Sequence, residues 1–156
     1  MLVVAIAGAL AMIAIPSFKS LSQSQQVKNA SFDLYSSLML ARSEAIKRNS
    51  NVTITFQNHS VAFPAPTHNE VGWVIASTGG TTIRNQSQLK GVALTPNPSA
   101  TTSVTYQRSG RTTATTSLTF LIDAYGVTTP YANCIGIQLS GMPRIYKPVS
   151  GVCTAP

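Results

Sequence analysis

The chain opens with eighteen positions that carry no charge, where Leu2, Val3, Val4, Ile6, Leu10, Met12, Ile13 and Ile15 fall on every face of a helix. Such a segment suits lipid or complete burial, not a half-exposed surface. At 1.5 Å per residue it reaches about 27 Å, slightly short of the roughly 30 Å hydrocarbon core of a bilayer. A cleaved secretory signal would have a basic region before the apolar run and small residues after it. Nothing basic precedes Leu2, and Ile15-Pro16-Ser17-Phe18 is a poor cleavage site. Residues 1–18 are therefore expected to span a membrane.

Residues 19–48 contain neither Gly nor Pro, and Val27, Ala30, Leu34, Leu38, Ala41 and Ala45 recur at intervals of 3, 4, 4, 3 and 4. That spacing predicts an amphipathic helix, residues 19–49, with one apolar stripe able to lie on a sheet. Lys28, Ser36, Ser43 and Lys47 fall away from the stripe, and Glu44 with Arg48 makes an i,i+4 pair. Arg42, Lys47 and Arg48 are expected on a solvated face. One helix of about 70 Å is predicted to join both segments. Pro16 lies inside it, where the lost backbone hydrogen bond predicts a kink.

After Asn49-Ser50-Asn51 the periodicity changes to two, with Val52, Ile54 and Phe56 alternating with Thr53 and Thr55. Further strands are predicted at residues 72–77, 91–94, 103–107, 117–122, 134–139 and 144–147. The turn signals between them are Thr78-Gly79-Gly80, Pro96-Asn97-Pro98, Ser109-Gly110, Tyr125-Gly126 and Ser140-Gly141-Met142-Pro143. No internal repeat stands out. The expected fold is α+β: a long N-terminal helix whose second half packs on an antiparallel sheet, with residues 50–156 forming a β-rich head.

Composition sharpens this picture. Charged residues make up 10% of the chain, against roughly 25% in ordinary soluble domains, so the surface is built from Ser, Thr, Asn and Gln. That suits a secreted or cell-surface protein, where the two cysteines, Cys134 and Cys153, are expected to form one disulfide. Eleven Lys and Arg against four acids give a net charge of +7, which either keeps a sparsely charged surface soluble or serves a polyanionic partner.

Residues able to do catalysis are scattered. Asp33 and Glu44 are on the helix while Glu70 and Asp123 stand apart, so no carboxylate pair is formed for acid–base work. His59 and His68 lack metal-binding spacing, and neither a nucleophile elbow nor a phosphate-binding glycine loop occurs. No enzymatic activity, metal or cofactor is expected. Trp73 and the Leu34/Leu38 stripe are expected in the core. The cations of the head are more informative: Arg108 and Arg111 flank the Ser109-Gly110 tip, and Arg144 and Lys147 follow the Gly141-Met142-Pro143 tip. Cations on turns can reach phosphates without reading bases, and Tyr146 offers a ring for stacking on an unpaired base. Strand alternation, however, points Arg144 and Lys147 to opposite faces. These four cations serve equally well as plain solubilising charge.

The run from Met1 to Phe18 resembles the second part of the N-terminal signature of type IV pilins and type II secretion pseudopilins, with Pro16 at the family's helix-loosening proline. Ala41-Arg-Ser-Glu-Ala-Ile-Lys-Arg-Asn49, Val71-Gly-Trp-Val-Ile75 and Leu139-Ser-Gly-Met-Pro-Arg144 resemble segments of its GspH/FimT/FimU group. The resemblance implies a minor pilin of the FimT/FimU type, held in the bacterial inner membrane with its head in the periplasm. From there it would join a pilus at the cell surface by packing its helix against major and minor pilins. A GspH-type pseudopilin of a type II secretion system would share this architecture. So would a DNA receptor for natural transformation that presents Arg108, Arg111, Arg144 and Lys147 to double-stranded DNA. FimT-like proteins carry Gly-Arg-x-Arg in the last hairpin, and here Met142 stands at the first arginine. The signature's processing glycine and nearby glutamate are expected upstream of Met1, as Gly-Phe-Thr-Leu-Ile-Glu.

Overall fold

The computed structural model describes the backbone of residues 2–57, 70–124 and 131–154, and side chains from residue 20 onward within those stretches except that of Glu70. Helix α1 runs Leu2–Arg48 and is assigned without a break across Pro16. Eight strands follow: β1 (Val52–Gln57), β2 (Glu70–Ser77), β3 (Thr82–Lys90), β4 (Val92–Asn97), β5 (Ser103–Tyr106), β6 (Leu118–Ala124), β7 (Asn133–Ile137) and β8 (Pro143–Tyr146). The readings that rest on His59, His68 and the Tyr125-Gly126 turn lie outside the described residues. So do the side chains of residues 1–19, which carry the membrane-spanning reading. Among the described residues no helix is long and apolar enough to cross a membrane.

The helix ends where Asn49 takes a left-handed φ of 49°. Ser50 N–H then donates to the Ala45 carbonyl and Asn49 N–H to that of Ile46, both at 3.2 Å. This is the paired closure that satisfies the last carbonyls of a helix. It turns the chain directly into β1.

The strands make two antiparallel four-stranded sheets, ordered β3-β2-β1-β5 and β4-β6-β7-β8, where a single sheet was expected. Val52, Ile54 and Phe56 face inward from β1, and Phe120 and Ile122 from β6, beneath the predicted helix stripe, of which Val27, Leu34, Leu38, Ala41 and Ala45 are fully buried. The Phe56 and Phe120 rings meet 5.0 Å apart at 52°, joining the two sheets under the helix. Trp73 is buried beside them, as expected. Burying a polar-poor stripe of this kind supplies most of a helix's stability in a protein.

Two strand readings are corrected. Pro96 does not start a turn; it is buried inside β4, an edge strand, the kind of strand in which proline is tolerated. The turn comes after the cis Asn97-Pro98 bond, closed by Thr101 N–H on the Pro98 carbonyl at 3.0 Å. Strand β3, absent from the sequence reading, pairs with β2 as the outer strand of its sheet.

The disulfide joins Cys134 on β7 to Cys153. Leu121, Ala132 and the two cysteines form a second, smaller core on the outer side of the β6-β7-β8 sheet, with Tyr146 packed against it. Tyr146 also donates its hydroxyl to the Thr154 carbonyl at 2.5 Å. The ring offered for base stacking is thus committed to holding the tail.

Candidate functional site

The basic head residues are organised around two turns of the same construction. In Gln107-Arg108-Ser109-Gly110-Arg111, Gln107 N–H donates to the Arg111 carbonyl and Gly110 N–H to the Gln107 carbonyl, each at 2.8 Å. In Gln138-Leu139-Ser140-Gly141-Met142, Gln138 N–H donates to the Met142 carbonyl at 3.3 Å and Gly141 N–H to the Gln138 carbonyl at 2.8 Å. Both glycines have left-handed backbones, φ 77° and 81°, which a side chain would oppose. The common Gln-x-Ser-Gly is a short repeat that the sequence reading passed over, because it falls in turns and not in elements of regular period. The second turn joins β7 to β8; the first returns β5 to a single bridge between Tyr106 and Thr112.

Neither turn is a free tip. They are stacked: a Cβ at Gly141 would run into the Gly110 carbonyl oxygen and lie 3.2 Å from Cε1 of Tyr106. Both also rest on α1. Arg42 Nε donates to the Gly110 carbonyl at 3.0 Å, and an Arg42 terminal nitrogen lies 3.0 Å from Met142 Sδ. A Cβ at Gly110 would lie 2.8 Å from Ile46 Cδ1. The expectation that Arg42 belongs to a solvated face is therefore corrected, since it is half-buried between the helix and both turns. Lys47 and Arg48 do stay exposed, paired with Glu44 at 3.8 Å and 2.5 Å.

Tyr106, at the base of the turns, is fully buried and its hydroxyl has no hydrogen-bond partner among the described residues. Burial pushes its pKa up, and the charge of Arg42 acts the other way.

Arg108, Arg111 and Arg144 are all exposed. Arg108 and Arg111 leave the first turn, and Arg144 leaves β8 two residues after the second. Lys147 lies apart: three residues beyond Arg144, about 10 Å along an extended chain, it donates to the Ala132 carbonyl at 3.3 Å. The structure therefore places three of the four candidate cations about one paired-turn feature. Beside it an open concavity of about 670 Å³ is lined by Asn49, Ser50, Asn51, Thr78, Gln107, Arg108 and Ser109. Among the described residues no group of His, Cys, Asp or Glu side chains is placed to hold a metal ion.

The described fold is a long helix laid over two antiparallel sheets, with a disulfide tying the C-terminal tail to β7. Two crystal structures of the type IV minor pilin FimU from Pseudomonas aeruginosa share this fold of a helix packed on antiparallel sheets. One aligns with a TM-score of 0.60 at 19% identity, covering 87% of this chain and 96% of that one. The other aligns with a TM-score of 0.56 at 19% identity, covering 77% and 92%. The family model for type II transport protein GspH matches residues 30–141, and the chain belongs to that family. No curated protein matches it.

Proposed function

We propose that this chain is a minor pilin of a type IV pilus, carried in the inner membrane by residues 1–18 and taken into the filament by packing of α1 against other pilins. The observation that carries this reading is the helix itself. It extends as Leu2–Arg48, and among its described side chains burial against the sheets starts at Val27, so one continuous helix joins the uncharged N-terminal run to the core of the head. Chromosomal deletion with complementation tests the reading. The tagged protein should appear in the sheared pilus fraction, and its loss should reduce piliation while leaving secretion of exoproteins unchanged. The reverse pattern would make it a GspH-type pseudopilin.

The three arginines about the paired turns favour a second role for the same subunit, in contacting DNA phosphates. Such contacts are indifferent to sequence and weaken steeply with salt. In the full chain held in neutral detergent, Arg144→Gln should weaken duplex binding and flatten the salt slope by about one unit, whereas Lys28→Gln, an exposed change elsewhere on α1, should do neither. No mobility shift at low salt, or equal losses for the two variants, would leave the subunit purely structural.

A further inference from the structure

We infer that Arg42 is a positioning residue that locks the two Gln-x-Ser-Gly turns into one rigid element and thereby fixes how Arg108, Arg111 and Arg144 are presented to a phosphate backbone. The phosphate part of this inference rests on the DNA reading above; the locking part does not.

Three observations converge on Arg42. Its guanidinium reaches a different group on each turn, the Gly110 carbonyl and the Met142 thioether. The turns touch each other through Gly110 and Gly141, so closely that no Cβ fits at Gly141. Beneath them Tyr106 offers a buried ring and an unpartnered hydroxyl, so it supplies packing but no hydrogen bond to hold either turn. Among the described residues, the side-chain hydrogen bonds from the rest of the fold to the paired turns therefore come from Arg42. Its base is fixed on α1 between the buried residues Leu38 and Ala45. A fork of separated N–H groups suits this task, and a lysine, with a single charged nitrogen, cannot face two divergent acceptors in the same way.

The arrangement also gives Met142 a role of its own. Met142 occupies the position in the second turn that Arg111 occupies in the first, and its sulfur accepts from Arg42. A second guanidinium there would face Arg42 at contact distance, and like charges this close repel. A Met142→Arg change, which looks from sequence like a gained phosphate contact, is instead expected to open the turn pair.

Ordering matters because cations already held in place pay less entropy on binding than cations on independent loops. The full chain in neutral detergent provides the test, with two readouts. Amide hydrogen exchange should rise at least tenfold in residues 107–111 and in residues 138–142 on Arg42→Gln, and stay unchanged in β6. Loosening of one turn alone, or of neither, overturns the lock whatever the protein does with DNA. For duplex DNA, Arg42→Lys keeps the charge and should lose as much affinity as Arg42→Gln, about fivefold or more. In either background the further change Arg144→Gln should cost less than it does in the wild type. Full recovery by Arg42→Lys, or strict additivity with Arg144→Gln, would show that Arg42 acts only as charge and overturn the positioning role. If both turns loosen but the wild-type chain binds no duplex, the lock stands and the phosphate role falls.

Discussion

Leu38 and Phe32 lie on one helix and have opposite fates: Leu38 is fully buried, while Phe32 is 63% exposed. Truncating the first leaves a cavity in a packed core, and truncating the second removes surface. Leu38→Ala should therefore destabilise the protein by about 2–5 kcal/mol, and Phe32→Ala by about 0.5 kcal/mol or less. Equal shifts in denaturant midpoint would contradict this placement. Asp123 is a different kind of residue. It lies on β6 opposite Ala93, and one of its carboxylate oxygens has no partner among the described residues. Burial pushes its pKa up to about 6. A folded-state pKa above the unfolded value means that the native state holds the proton more tightly. Stability should thus decline as pH rises from about 4 to about 6 and stay lower above that. Asp123→Asn should remove that decline, visible as a flatter profile of melting temperature between pH 4 and pH 8; an unchanged profile would deny the burial effect. Single residues such as Leu38 and Trp73 were legible because apolar burial follows from pattern. Arg42 was not: helical spacing shows which face is apolar, but not that two turns about 70 and 100 positions later fold back onto the polar side of that face.

Elements with one wet and one dry face announce themselves, and β1 is legible as the alternation Val52, Ile54, Phe56 with Thr53, Thr55. Strand β3 is hidden because it is an edge with both faces largely solvated. Its Thr82–Lys90 run contains only Ile83 and Leu89 as large apolar residues, both half-buried, so no period-two signal survives. Strand β4 was misjudged at its end because proline punctuates most structure and is tolerated at edges. The disulfide, by contrast, follows from there being two cysteines in a sparsely charged chain, and it ties the tail to β7 across 19 positions. Closing a loop of that size contributes about 3 kcal/mol in the chain-entropy account. Periplasmically expressed protein, denatured without reductant, should show no titratable thiol. Replacing both cysteines by serine should lower stability by about that amount, and a neutral result would mean that Tyr146 and its bond to Thr154 hold the tail unaided.

Over the whole molecule, the helix is one element with two kinds of sequence. Its second half is covered by the sheets, and its first eighteen positions carry no charge. Apolar surface on that scale is costly in water. The full chain should require detergent or lipid, whereas a chain shortened to begin at Ser24 should be a soluble monomer. A monodisperse full chain without detergent in size-exclusion chromatography would remove the case for a membrane segment. The long helix and the β-rich head that follows it were legible from periodicity; the split of the head into two sheets was not, since pairing partners lie far apart in sequence. The length of α1 also bears on the charges of the head. Between Phe18 and Arg42 the helix rises about 36 Å, more than four screening lengths at about 8 Å each in physiological salt. Under the proposed anchoring, with α1 along the membrane normal, the paired turns would sit beyond the electrostatic reach of the anionic headgroups, which would leave their cations available to a polyanion arriving from outside.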